Sequence, residues 1–248
     1  MSRPEQVWPS DLLVSPHDTA DKRVRVRRMF NAIAPRYEWI NALFSAGRDA
    51  AWRRRAVALA HITPADRVLD VACGTGDFAR AFARACPRSV VGCDFAHAML
   101  VRAGDRPTER AVWCEADALR LPFDAGRFTA VSCAFGVRNF ADLDAGLREM
   151  YRVLAPGGRV VILEFTRPKH RVARGLYELY AHRVMPRAAG WLSGDATGAY
   201  RYLPRSVVSF LSAEQMCARL RGVGFMRPSA TPLTMGVVTV YQGTKRAS

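Results

Sequence analysis

The stretch Val68-Leu-Asp-Val-Ala-Cys-Gly-Thr-Gly-Asp-Phe78 constrains the fold of this chain more than any other. The apolar run Val68, Leu69, Val71 predicts a buried strand, and it ends in two glycines, Gly74 and Gly76. Apolar or small residues at Phe78, Ala79, Phe82 and Ala83 then follow a helical period. Strand, glycine turn and helix in succession offer backbone N–H groups to a small cofactor at the edge of an α/β sheet. Paired glycines cost conformational entropy on folding, so a plain connection with no ligand is the weaker reading.

The spacing Gly74-x-Gly76-x-x-Ala79 also satisfies the dinucleotide fingerprint. Flanking charge helps to separate the two cofactors. Asp70 precedes the loop, Asp77 follows it, and no Lys or Arg lies near in sequence until Arg80. A pyrophosphate would meet carboxylates here, whereas a cationic amino-acid group would be attracted. S-adenosylmethionine carries an ammonium and a sulfonium and no phosphate, so the pattern favours it, with NAD still open.

A chain of 248 residues suits one α/β domain with additions, and no apolar stretch approaches the roughly 20 residues of a membrane span. Pro4, Pro9 and Pro16 predict a loose tail over residues 1–22 without a signal peptide, and hence a cytoplasmic protein. Residues 23–248 then form a single domain. The six cysteines have no C-x-x-C pair, and the five histidines no metal-ligand spacing, so small buried thiols and no metal are expected. The net charge of +15 draws the chain to something anionic: nucleic acid, a lipid surface or an acidic substrate. The excess of arginine over lysine is also what a GC-rich genome would produce.

In residues 22–41, Val26, Met29, Phe30 and Ile33 share one helical face, with Arg23, Arg25, Arg27 and Arg28 mostly on the other. Pro35 interrupts, Tyr37 and Trp39 follow, and a second helix is expected over 49–59, so residues 23–60 read as a helical lid or an interfacial anchor. Strands are expected near 67–72, 89–93, 112–115, 128–135 and 159–165, alternating with helices, and two more near 227–232 and 237–242. That alternation predicts a doubly wound, mostly parallel seven-stranded sheet. Pro156-Gly157-Gly158 reads as a turn, and Ser212 as the N-cap of a helix ended by Gly222 and Gly224. Residues 166–211, rich in Arg, Tyr and Pro, read as an inserted helical cover.

Asp94, at the end of the second strand, is placed to accept the two hydroxyls of a ribose or to cap the next helix. Asp117 and Ala118, after the third strand, are placed near the adenine edge, where a carboxylate accepts from an amine and a backbone N–H serves a ring nitrogen.

Asp70-Val-Ala-Cys-Gly-Thr-Gly76, Asp94, Ala116-Asp-Ala118 and Leu154-Ala-Pro-Gly-Gly158, in this order, resemble the Rossmann-like class I S-adenosylmethionine-dependent methyltransferases. Met29-Phe-Asn-Ala-Ile-Ala-Pro-Arg-Tyr37, Trp52-Arg-Arg54, Phe135-Gly-Val-Arg-Asn139, Leu163-Glu-Phe165 and Tyr202-Leu-Pro-Arg-Ser206 narrow the resemblance to the ubiquinone/menaquinone biosynthesis C-methyltransferase family, from about Val24 to Lys245. The resemblance implies cofactor contacts at Thr75, Asp94, Asp117 and Ala118, beside the loop residues Asp70, Gly74 and Gly76. Ala134 stands where the family often has a contacting serine, so only backbone contact is expected there, and Cys73 stands where a glycine is frequent.

The resemblance further implies methylation of a ring carbon of a polyprenylated quinol. Arg138 is then expected to stabilise a developing phenolate or orient a water, Asn139 to position a ring oxygen, and Tyr37 to close the lid on the ring. A surface ion pair of Arg138 with Asp142 or Asp144 is the competing expectation, and no His or Glu stands out as proton acceptor. A bilayer-borne substrate gives the basic, aromatic stretches a use in docking on an anionic membrane surface, peripheral to the inner membrane. A homodimer or a quinone-biosynthesis complex is compatible with this. A phospholipid N-methyltransferase of related sequence is the alternative. Nucleic acid is not expected as a partner, because no helix-turn-helix, zinc or RNA-binding signature accompanies the charge.

Overall fold

A computed structural model describes residues 7–9, 11–14, 16, 17, 19, 21–106, 108, 110–168, 175 and 198–247. The strands are β1 (Arg67–Val71), β2 (Ser89–Asp94), β3 (Ala111–Glu115), β4 (Phe128–Ala134), β5 (Leu154–Phe165), β6 (Met226–Leu233) and β7 (Val238–Thr244). They form one seven-stranded sheet in the order β3-β2-β1-β4-β5-β7-β6. The first five pair in parallel, and β7 runs antiparallel to both β5 and β6. Chain direction across the sheet reverses between β1 and β4, which is where a doubly wound sheet opens a crevice at its carboxyl edge.

Eight α-helices surround the sheet among the described residues: α1 (Lys22–Ile33), α2 (Tyr37–Ser45), α3 (Asp49–Leu59), α4 (Asp77–Ala83), α5 (His97–Gly104), α6 (Leu143–Val153), α7 (Ala199–Val208) and α8 (Ala213–Val223). Successive strand residues point to opposite faces, so β1 gives Leu69 and Val71 to one core and Val68 to the other. The first core closes on Leu147, Met150 and Leu220, the second on Phe78, Phe82 and Trp52. Ser212 and Gln215 form a capping box at the start of α8, and Gly224 ends it at φ +113°. Pro156 to Gly158 is absorbed into β5 rather than forming a separate turn, at a register shift against β4 with Gly157 at φ +72°.

The N-terminal segment departs from the expected loose tail. Trp8 and Leu13 are buried with Val26, Met29 and Met99 in a third cluster, and the Trp8 ring stacks on Tyr202 with centroids 4.1 Å apart. The prolines that argue against a helix there do not prevent burial of the apolar residues between them. Of the expected cover, residues 169–174 and 176–197 lie outside the described residues, and α7 is its final part.

Candidate cofactor and substrate site

The loop after β1 has a strained backbone. Ala72, Gly74 and Gly76 all have positive φ, and a Cβ on Gly76 would run into the Trp113 ring of β3. Glycine is therefore required at 76 twice over, by conformation and by space. Facing the loop is a cleft at the carboxyl ends of β1, β2 and β4. Its lining includes Tyr37, Gly74, Asp94, Asp117, Ala118, Ala134 and Asn139. Seven of the eleven sequence-predicted site residues therefore meet in one space.

Asp94 holds the loop and the next helix together. One oxygen accepts from the Gly74 N–H at 2.8 Å and the other from the Ala96 N–H at 2.9 Å, and burial raises its pKa to about 6. Both sequence readings of Asp94 are compatible with this geometry, since Asp94 lines the cavity and a carboxylate oxygen can accept more than one hydrogen bond. Asp117 Oδ1 accepts from the Leu119 N–H at 3.0 Å, and Oδ2 meets Arg23 Nε of the lid at 2.6 Å. Tyr37, the first residue of α2, stands over the loop: a Cβ on Gly74 would lie 3.6 Å from its ring. Burial raises the Tyr37 phenol pKa, while the charges of Arg53 and Arg138 pull it the other way.

A smaller side pocket shares Tyr37, Ala72, Gly74 and Ala134 with the main cavity and adds Asp70, Thr75, Arg53 and Asp77. Asp70 is fully buried; Ser132 donates to its Oδ1 at 2.8 Å, its Oδ2 has no hydrogen-bond partner, and burial pushes its pKa to about 7. Asp77 is not the bare carboxylate that its sequence neighbours suggest, because Arg80 and Arg106 lie 3.2 and 3.0 Å away. Gly76 lines neither space but lets Trp113 approach.

Beyond β4 the chain makes a tight turn that presents Asn139. Phe135 sits at φ +57°, unusual for a bulky residue and costing about 1–3 kcal/mol. The turn is tied down from several sides. The Phe135 N–H donates to the Leu163 carbonyl at 2.7 Å, and its own carbonyl accepts from Arg138 Nη1 at 2.7 Å and Asn139 Nδ2 at 3.2 Å. Tyr202 donates to Asn139 Oδ1 at 3.1 Å, fixing the amide from the other end.

Arg138 corrects an expectation. It does not line the cofactor cavity, and it pairs with neither Asp142, which caps α6, nor Asp144, which pairs with Arg219. Its Nη1 donates to Glu164 Oε1 at 2.6 Å, and Nε approaches Ser206 Oγ at 3.3 Å. A carboxylate inside β5 needs a cation more than a solvated aspartate does, so Glu164 takes the guanidinium. Glu164, Arg53 and Tyr202 stand in segments that carry the family resemblance, yet sequence reasoning gave none of them a role. Glu164 had a signal, a charge inside the apolar run 159–165; so did Arg53, on the same helical stripe as the buried Trp52 and Ala56.

The residues present fit S-adenosylmethionine. The side pocket that adjoins the cavity at Gly74 contains Asp70, a carboxylate with an unpartnered oxygen suited to an ammonium, and the floor at Gly74 lies beneath Tyr37, where a Cβ would narrow it.

The fold is similar to that of a solved S-adenosylmethionine-dependent methyltransferase from Thermotoga maritima, at a TM-score of 0.65 over 88% of this chain and 99% of that one, with 18% identity. At that identity the likeness speaks for the fold alone, a Rossmann-like class I methyltransferase. A demethylmenaquinone methyltransferase of Deinococcus radiodurans is 45% identical over 92% of this chain and 96% of its own length. A ubiquinone/menaquinone biosynthesis C-methyltransferase, UbiE, of Geobacter sulfurreducens is 42% identical over 95% of this chain and 94% of its own. Neither is named for a phospholipid amine. The family model matches residues 18–245, so it takes in part of the segment expected to lie outside any resemblance. The chain belongs to the ubiE/COQ5 methyltransferase family.

Proposed function

We propose that this S-adenosylmethionine-dependent C-methyltransferase acts on a ring carbon of a polyprenylated quinol, in menaquinone or ubiquinone biosynthesis. The observation that carries the reading is a single cavity joining the Gly74 loop, Asp94 and Asp117 to Tyr37 and Asn139. The names of the relatives, both quinone methyltransferases, point to the same substrate class.

Bound in the cavity, the cofactor supplies an electrophilic methyl group on its sulfonium. Asp94 accepts the ribose hydroxyls, Asp117 and the Ala118 N–H serve the adenine edge, and Gly74, Thr75 and Asp70 line the amino-acid end. Asn139 retains one amide N–H beyond its bond to Phe135, and with it places a ring hydroxyl. A quinol carbon becomes nucleophilic when a ring hydroxyl ionises. Arg138 serves that step from behind the cavity, by holding the Phe135 carbonyl and so the turn that presents Asn139. Tyr37 and the lid exclude water while the ring carbon and methyl group align, and alignment and dryness supply much of the acceleration.

The test is quinone profiling by mass spectrometry in a strain lacking the gene. Accumulation of demethylmenaquinone, of the demethylated ubiquinone precursor, or of both identifies the substrate ring, and an unchanged profile refutes the proposal.

The same reading places the protein at the membrane surface. Among the described residues no helix is long and apolar enough to cross a bilayer. Arg27, Arg28 and Arg36 are exposed, and Trp39 in the same segment is 75% exposed; exposed cations with an aromatic suit anionic lipid. Flotation with anionic vesicles at physiological salt tests this; failure to float rules it out.

A further inference from the structure

Two buried polar atoms in the side pocket lack partners, and they are complementary. Arg53 is 7% exposed and its Nε–H has no acceptor; Asp70 is fully buried and its Oδ2 has no donor. Leaving either unsatisfied costs about 1–3 kcal/mol, more for a charged group, so a pair of such orphans in one pocket marks a site built for something polar. The donor belongs to α3 of the lid and the acceptor to β1 of the sheet, so the pocket is bounded by a cation on one side and a carboxylate on the other. A ligand that satisfies both carries an anion and a cation a few bonds apart. An α-amino acid is such a ligand.

Arg53 is held in place without being consumed. Its Nη1 bonds Asp49 one turn earlier and lies 4.0 Å from Asp77, and its guanidinium carbon is 5.7 Å from the centre of the Phe135 ring. These contacts fix the plane of the guanidinium and leave the Nε edge unused. A guanidinium edge so fixed recognises a carboxylate with little further loss of freedom.

We propose that Arg53 recognises the α-carboxylate of the cofactor's methionyl group, with Asp70 taking its ammonium across the pocket. The proposal rests on the reading of the cavity as an S-adenosylmethionine site and assigns its amino-acid end to a lid residue. Cofactor binding then joins α3 to β1 through the ligand, so that the lid is drawn onto the loop by the cofactor before the quinol arrives.

Isothermal titration of the full chain tests this with three ligands: S-adenosylhomocysteine, its decarboxylated analogue, and 5′-methylthioadenosine, which lacks the amino-acid group. The wild type should bind the decarboxylated analogue about 10- to 100-fold more weakly than S-adenosylhomocysteine, the range for a charge-assisted hydrogen bond. Arg53→Gln should weaken S-adenosylhomocysteine by a similar factor and leave the other two ligands as they bind the wild type. Arg53→Lys, which keeps the charge and loses the fork, should fall between. A wild type indifferent to the carboxylate overturns the proposal without any variant. So does an Arg53→Gln protein that weakens all three ligands equally, the signature of a residue that only braces Asp49 and Asp77. Failure of the wild type to bind even 5′-methylthioadenosine would instead overturn the cofactor reading beneath it.

Discussion

Arg138 Nη1 donates to Glu164 Oε1 at 2.6 Å, and the two side chains are 5% and 0% exposed. Burial raises the Glu164 pKa, and the Arg138 guanidinium pulls it back down. The pair fixes the Phe135–Asn139 turn, because the same Arg138 nitrogen donates to the Phe135 carbonyl. Removing one member of a buried ion pair strands the other and costs about 3–5 kcal/mol. Glu164→Ala should therefore lower stability by that order in denaturant unfolding, and Glu164→Gln, which retains an acceptor for Arg138, by less. Turnover should fall in both while 5′-methylthioadenosine binding stays close to wild type. A stable Glu164→Ala protein with normal turnover would show that the pair holds nothing.

Arg138→Ala should leave cofactor affinity nearly intact and reduce turnover severely. The buried Glu164 loses its guanidinium, and the carbonyl of the strained Phe135 loses a donor, so the turn that presents Asn139 is loosened. Titration with S-adenosylhomocysteine beside steady-state kinetics separates the two effects. Weakened cofactor binding as the main change would place Arg138 in the cofactor site instead.

Tyr202 connects the N-terminal segment to the site. Its ring stacks on Trp8 and its hydroxyl donates to Asn139. Tyr202→Phe removes one hydrogen bond and should cost about 1 kcal/mol of stability. The Asn139 amide is then free to turn, so kcat should fall with KM for the cofactor unchanged. Trp8→Ala empties a fully buried ring site and should cost about 3–5 kcal/mol by thermal or denaturant unfolding. A variant as stable as wild type would mean that the segment is a loose tail after all.

Features set by neighbours in sequence could be read directly. The Gly74-x-Gly76 loop follows from a strand that must turn sharply, and Asp94 and Asp117 follow from standing at the carboxyl ends of β2 and β3, wherever those strands lie in the sheet. The Glu164–Arg138 pair joins residues 26 positions apart, and Arg53 meets Asp70 only once α3 has folded over the sheet. Such partnerships depend on packing, and a sequence shows only half of each: a charge on an apolar stripe that needs an answer. The carboxylate argument for a cationic ligand does not extend to Asp77, whose arginine partners Arg80 and Arg106 come from the next helical turn and from beyond β2.

Asp117 meets Arg23 across the cavity mouth, but Arg23 is 60% exposed, and an exposed pair contributes about 0–1 kcal/mol. Arg23→Ala should thus change S-adenosylhomocysteine affinity by less than about 5-fold, consistent with that range. Asp117→Asn should weaken it by about 10-fold, because an acceptor for the adenine amine is replaced. Equal losses in the two variants would mean that the ion pair, and not adenine recognition, gives Asp117 its importance.

The pKa of Asp70, raised by burial to about 7, gives binding a pH signature. Facing it are Ser132 on β4, Arg53 on α3 and the Ala79 N–H of α4, which favour ionisation, and Asp94 on β2, which opposes it. In the free protein the folded state holds a proton that the unfolded state releases near pH 4, so stability declines as pH rises from about 4 to 7. Ligand binding runs the opposite way. An ammonium at Oδ2 favours the ionised carboxylate, so binding below pH 7 expels a proton, and affinity rises by up to about one decade per pH unit before levelling. Titrations of S-adenosylhomocysteine from pH 5 to 7.5, in two buffers of different ionisation enthalpy, should show both the rise and the released proton. Asp70→Asn should flatten the profile above pH 6 and leave a residual slope below it from Asp94, whose pKa is about 6. A wild-type affinity constant across that range would mean that the ligand's ammonium does not meet Asp70.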